Sequence, residues 1–314
     1  MKKLPLAPIV LFVYNRPGHT RQTVESLQKN ELARESDLFI FSDGPGTEAD
    51  GENVKEVRSY IRTVAGFKKI TIVEREKNWG LADSIIDGVT RVVNAYGRVI
   101  VLEDDLVTGP FFLRFINEAL ALYKDETRVW HITGYMFPID ATGLPQTVFY
   151  RCPTTLGWAT WQRAWKHFRR DPAAVIAEFS PRVIKRFNLD GCCNFWDQVM
   201  LNYYGGMRTW AVFWYAAVFK QGGLCLHPVE TMVQHIGYDD GTHFKRVKRH
   251  DPHPSLSPIT YFETDLTEKK IFIKRLKAFY KQNKRPLWKR VGPRIRSIFF
   301  QYSLRLRRLF YLRQ

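Results

Sequence analysis

The residues best equipped for chemistry stand together as Glu103-Asp104-Asp105, at the end of the segment RVIVLEDDL over residues 98–106. Three neighbouring carboxylates repel one another, and burying them unpaired is costly. A bound divalent cation removes that cost. Mg²⁺ and Mn²⁺ prefer oxygen ligands, often one or two carboxylates completed by substrate phosphates. An apolar run climbing into this triplet therefore predicts a metal–diphosphate site. The alternative is an acidic loop capping the next helix, whose positive dipole end welcomes Asp. Asp-x-Asp alone does not separate the two; its position in the chain favours the metal.

That position follows from the elements around it. Residues 8–14, PIVLFVY, read as a buried strand, followed by a helix from about Pro17 to Lys29. Residues 37–42, DLFIFS, form a second strand ending in Asp43-Gly44, and a helix then runs to about Thr63. Residues 69–74, KITIVE, form a third strand, and the turn Lys77-Asn78-Trp79-Gly80 opens a helix of about 16 residues with Leu81, Ile85, Val89 and Val92 at helical spacing. RVIVLE is the fourth strand, and a helix from about Pro110 to Tyr123 follows. Four alternations of strand and helix predict an α/β fold with a mostly parallel, doubly wound sheet. Such sheets bind ligands beyond the carboxyl ends of their strands. Asn15, Asp43, Asn78 and the acidic triplet all fall there.

Taken in order, PIVLFVYNRP, FSDGP, NWGLADSIIDGV and VLEDDL resemble the motifs of GT-A-type nucleotide-sugar glycosyltransferases, near the inverting enzymes of family 2. The Glu-Asp-Asp form and the later LGWATWQRAW and FWDQV are similar to the N-acetylglucosaminyltransferase I type. The resemblance covers roughly residues 7–245. It implies a GT-A, Rossmann-like sheet flanked by helices over residues 1–264, with a nucleotide-sugar half (1–127) and an acceptor half (128–264). It also implies Mn²⁺ or Mg²⁺ as cofactor, a nucleotide-diphospho-sugar donor, and a glycan or lipid-linked glycan acceptor. By the same resemblance, Asn15 and Arg16 would lie near the base or diphosphate, and Asp43 would accept from the nucleobase. Asn78-Trp79-Gly80 would pack against the nucleotide. Glu103 belongs to the donor site, Asp104 would approach the ribose or sugar, and Asp105 would bind the metal. Trp158, in Gly157-Trp158-Ala159, would lie beneath the donor sugar or else fill the core.

An inverting transfer needs a base for the acceptor hydroxyl. Asp197 in NFWDQV stands near the start of a helical stretch, where the dipole keeps a carboxylate ionised. An ordinary N-cap would occupy the same place, and Asp190, Asp239 and Asp240 are the fallbacks. His227, His235, His243, His250 and His253 match no zinc spacing. Of these only His235 lies between an apolar run and a glycine-rich loop, where the resemblance implies a residue that closes over the metal and diphosphate.

The formal net charge of +17 is uneven. From Asp265 to Gln314 there are nine Arg and seven Lys against Asp265 and Glu268, which places +14 in the last 50 residues. Mixed with Ile295, Phe299, Phe300, Leu304, Leu309 and Phe310, this composition predicts a basic amphipathic helical tail over 265–314 for an anionic membrane surface. A helix packed on its own domain is the alternative. Nucleic-acid binding fits poorly, since such surfaces spread Lys and Arg across the fold. A sugar nucleotidyltransferase would need a Gly-rich phosphate loop after the first strand, which Asn15-Arg16-Pro17-Gly18 lacks. A degenerate, non-catalytic relative is disfavoured by the intact carboxylates. The start, MKKLPLAPIVLFVYNRP, imitates a signal peptide but has no small-residue cleavage site. No run of about 18 apolar residues exists, and the four cysteines form no C-x-x-C pair. The expected location is cytoplasmic, peripheral on the inner membrane, in surface polysaccharide assembly.

Overall fold

The computed structural model describes residues 5–238 and 252–282. Asp239, Asp240, His243, His250 and the tail beyond Gln282 lie outside the described residues.

In chain order the elements are β1 (Ile9–Val13), α1 (Pro17–Gln28), β2 (Asp37–Ser42), α2 (Gly51–Ile61), β3 (Lys69–Glu74), α3 (Leu81–Tyr96), β4 (Arg98–Glu103), β5 (Leu106–Thr108) and α4 (Phe112–Leu122). There follow β6 (Val129–Thr133), β7 (Thr147–Tyr150), β8 (Trp158–Trp161), α5 (Gln162–Trp165), α6 (Pro172–Glu178), α7 (Pro181–Phe187), α8 (Phe195–Tyr203), α9 (Ala211–Lys220), β9 (Leu224–Pro228), β10 (Val233–His235) and α10 (Lys270–Gln282). Eight strands form one sheet in the order β3-β2-β1-β4-β8-β6-β9-β7, and β10 pairs with β5 in a small antiparallel ribbon. From β3 to β4 every pairing is parallel, as the alternation of elements predicts; β8 then runs antiparallel between β4 and β6.

The strand sequences read as unbroken apolar runs because both faces of the sheet are covered. Along β1, Val10 and Phe12 join one core while Ile9, Leu11 and Val13 join the other. On the first face α3 lays down Ile85, Val89, Val92 and Val93, with its Gly88 so near Phe12 that a Cβ would stand 2.7 Å from that ring. The same core continues into a dense aromatic cluster under α8 and α9. On the other face α1 contributes Val24 and Leu27, and α4 contributes Phe112, Phe115, Ile116 and Leu120.

Here the domain boundary expected at residue 264 requires correction. Helix α10 buries Phe272 and Leu276 completely against the aromatic core. Glu268, just before it, forms a two-pronged ion pair with Arg151. Arg275 donates to the carbonyls of Asp140 and Thr142 at 2.8 and 2.7 Å. Residues 265–282 thus belong to the main body. The charge asymmetry hid this, because the basic residues of α10 lie outside its two-residue buried stripe. Among the described residues no helix is long and apolar enough to cross a membrane.

If α10 completes the core, Phe272→Ala should lower stability by about 3–5 kcal/mol, the usual cost of a buried Phe cavity. Urea unfolding measures this, and an appended helix would give a change near zero.

Candidate active site

The carboxyl ends of β1, β2, β3 and β4 form one edge of the sheet, and the site is built there. Pairing of β1 with β4 puts Phe12 opposite Glu103. The chain beyond β1 therefore runs alongside Asp104 and Asp105. The Tyr14 amide donates to Asp104 Oδ2 at 3.3 Å. Arg16 is the N-cap residue of α1, with Pro17 fixing the first helical φ. Its Nη2 donates to Asp104 Oδ1 at 2.6 Å and to Asp105 Oδ2 at 3.0 Å. Its Nη1 is buried and has no hydrogen-bond partner among the described residues.

The third side of the site comes from the ribbon. His235 in β10 faces Leu106 in β5, and the Ile236 amide donates to the Asp105 carbonyl at 2.9 Å. His235 Nε2 lies 3.3 Å from Asp105 Oδ2. Gly237 closes over both groups. A Cβ there would stand 2.4 Å from Asp105 Oδ2 and 2.9 Å from Arg16 Nη1, so no larger residue fits.

Asp104 and Asp105 are 4% and 8% exposed, so the charge of the triplet must be managed locally. Burial, reinforced by the charges of Asp105 and Asp104, pushes Glu103 up to about 8, and it keeps its proton at neutral pH. Burial also pushes Asp104 up to about 6, against the pull of Arg16. For Asp105 burial acts in the same direction, but the hydrogen bond and charge of His235, with Arg16 behind them, outweigh it and hold Asp105 down to about 2. The triplet thus presents two anions, sharing one guanidinium.

The remaining expected residues sort differently. Asp43 is buried, and its oxygens accept from the amides of Gly44, Trp79 and Gly80 at 2.9–3.1 Å. The carboxylate expected to meet the nucleobase thus holds the 77–80 loop. Asn78 braces the same loop by donating to Gly44 O at 2.9 Å. Asn15 donates to Asp50 at 2.7 Å. Trp158 is also corrected. It is 1% exposed, stacked on Trp210 and His131 with ring centroids 5.3 Å from each, so no face is open to a sugar. Asp197 lies half-buried in the first turn of α8, in the aromatic half of the molecule. The fallback Asp190 is held by Lys277 of α10.

Two parts of this edge were missed. Thr23 of α1 donates to Asp104 O at 2.8 Å and accepts from Leu106 N at 3.2 Å, clamping the triplet's backbone. Its signal is the helical spacing of Thr20, Thr23, Val24 and Leu27, all buried on one stripe. Arg75, following β3, is buried against Asp87 at 2.9 Å and lies 3.8 Å from the ring of the half-exposed Trp79. Nothing in the local sequence pairs Arg75 with a residue 12 positions away on α3.

Strands with this parallel order, carrying an acidic site beyond the carboxyl ends, define a GT-A-type, Rossmann-like domain. Residues 9–125, the parallel half of the sheet, match the model of Glycosyl transferase family 2. None of the curated proteins matches the chain in sequence. Among solved structures, the chain is similar to S. aureus TarS at 17% identity and a TM-score of 0.31, over 45% of this chain and 24% of that one. For the 1–349 portion of TarS the values are 14% and 0.34, over 51% and 48%. The chain thus spans about a quarter and about half of those two. The mannosyltransferase PcManGT of Pyrobaculum calidifontis, in complex with GDP-Man and Mn²⁺, is similar at 11% identity and a TM-score of 0.40, over 70% and 72%. At these scores the likenesses are remote.

Replacing Asp43 by Ala strips three loop amides of their acceptor. We expect a loss of about 1–3 kcal/mol in urea unfolding, together with faster tryptic cleavage after Lys77. Unchanged proteolysis would mean that the loop is held by something else.

Proposed function

We propose that the protein transfers a sugar from a nucleotide-diphospho-sugar to an acceptor hydroxyl, with inversion and with a divalent cation. The observation that supports this best is the meeting of Asp104, Asp105, Arg16 and His235 at the carboxyl end of β4, within the segment that matches family 2.

The residues present suit the cation. Ionised Asp105 and the His235 imidazole offer one oxygen and one nitrogen donor at 3.3 Å from each other. Among the described residues no group of three or more His, Cys, Asp and Glu side chains is arranged to hold a metal. A two-donor site matches the habit of Mg²⁺ and Mn²⁺ of completing their shell with phosphate oxygens and water. When bound, such an ion offsets the charge that develops on the leaving diphosphate. Arg16 adds a fixed positive charge beside it, and Asp43 and Asn78 shape the neighbouring loop. Asp197 takes the proton from the acceptor hydroxyl. In support, it occupies the third position of α8, where the helix dipole favours the carboxylate.

We further infer that the basic chain beyond α10 binds the cytoplasmic leaflet of an anionic membrane and brings the site to a lipid-linked acceptor in surface polysaccharide assembly. Each Lys or Arg near such a surface adds about 1 kcal/mol. Lys270, Lys274, Lys277 and Lys281 of α10 line one groove and extend the same charge onto the folded body.

Incubation with a panel of nucleotide sugars and Mn²⁺ should release nucleoside diphosphate from one donor. Excess EDTA and Asp105→Ala should each abolish release, the variant keeping its circular dichroism and melting transition. Full turnover in EDTA would overturn the cation-dependent reading. Asp197→Asn should retain donor binding, measured by calorimetry, and lose transfer by about 10²-fold or more, the scale of a lost general base. Near-normal turnover would remove Asp197 from the reaction. The full chain should co-sediment with phosphatidylglycerol vesicles at low salt and release as salt rises; failure to sediment would sink the membrane reading.

A further inference from the structure

The proposed cation and a side chain of the protein claim the same oxygen. Asp105 Oδ2 lies 3.0 Å from Arg16 Nη2 and 3.3 Å from His235 Nε2. An ion held by Asp105 and His235 would bring two positive charges against the guanidinium. Meanwhile Arg16 already bridges the two carboxylates, which are almost fully buried and would otherwise face each other uncompensated. The guanidinium therefore does the electrostatic work of a cation between the two carboxylates. It is not, however, fully satisfied. Nη1 is buried beneath Gly237 without a hydrogen-bond partner among the described residues. A planar guanidinium with unused donors is matched by the oxygens of a phosphate, which it can bind in a fork. Arg16 is also the N-cap residue of the 12-residue α1, and the N-terminus of a helix favours an anion.

Resting on the donor and cation reading given above, we propose that Arg16 is a resident counter-cation that couples the two ligands. A divalent ion binding alone must compete with Arg16 for Asp105. A diphosphate arriving with it gives the displaced guanidinium a new partner. Each ligand then lowers the cost of binding the other, and the coupling is reciprocal. Arg16 acts as a positioning residue, selecting for cation and diphosphate together and against the cation alone.

The test reads cation binding directly, by electron paramagnetic resonance of free Mn²⁺, with no sugar transfer involved. Mn²⁺ is titrated into the wild-type protein and into Arg16→Met and Arg16→Gln, each checked for its fold by circular dichroism. The titration is made alone and then with saturating UDP or GDP. In the wild type, one of the nucleotides should tighten Mn²⁺ binding by about tenfold or more, within the 5- to 150-fold range of typical coupling between sites. In either variant, Mn²⁺ alone should bind about tenfold more tightly than to the wild type, and the nucleotide effect should shrink. Mn²⁺ binding that is unchanged or weaker in a folded variant, or a nucleotide effect of undiminished size, would overturn the proposal. So would the absence of Mn²⁺ binding in all three proteins. Intact coupling without turnover of any nucleotide sugar would instead refute the transfer reading and leave the role of Arg16 standing. The second variant keeps amide donors without the charge, so it separates loss of hydrogen bonds from loss of the cation.

Discussion

Two ionised carboxylates at the end of a buried strand need a positive charge beside them, and this need organises the sheet edge. Asp104 and Asp105 cannot both stay charged at 4% and 8% exposure without compensation. The cation is Arg16, delivered from the N-terminus of α1 because β1 lies next to β4 in parallel register. Glu103 meets the same pressure by retaining its proton. His235, brought by the β5–β10 ribbon, contributes from the opposite side. The close approach of Gly237 then seals the arrangement.

The other polar residues at this edge show a second constraint. Loops that turn back over a sheet carry backbone amides that must find acceptors. Asp43 accepts from three of them, Asn78 reaches a carbonyl, and Asn15 ties Asp50. Their position at the carboxyl edge of the sheet is compatible with a purely architectural task. The bracing fixes Trp79, whose ring rests on the buried Arg75 guanidinium. Polar residues at the edge are thus divided between those that build the loops and the few, around Arg16, whose capacity is not exhausted.

The aromatic half supplies rigidity. Trp158, Trp165, Trp210 and Trp214 pack against one another with centroid separations of 5.1–6.4 Å, and the buried His131 accepts from Trp214 Nε1. The same core receives Phe272 and Leu276 of α10. The abundance of tryptophan reflects this core, where large flat side chains bury much area at small entropic cost. It also makes the basic helix a structural part of the domain, so that its lysines are displayed from a fixed base.

Periodicity by itself determined the parallel series. The first four strands and their helices lie within two or three residues of where the apolar runs and turn residues place them, since each is decided by local burial and local backbone chemistry. Sequence also placed the acidic triplet at the end of the fourth strand. Tertiary structure alone decided what each polar side chain touches. Arg16 meets Asp104 across 88 residues and His235 meets Asp105 across 130; neither pairing leaves a periodic trace in the chain. The same holds for Asp43, whose acceptors are used by a loop 36 residues on, and for Trp158, whose two faces are covered by segments before and after it. Composition made the last fifty residues look like one basic appendage. The burial of two side chains on α10 shows otherwise, because net charge reports the solvent-facing majority of a helix while attachment depends on the few apolar residues on its inner stripe.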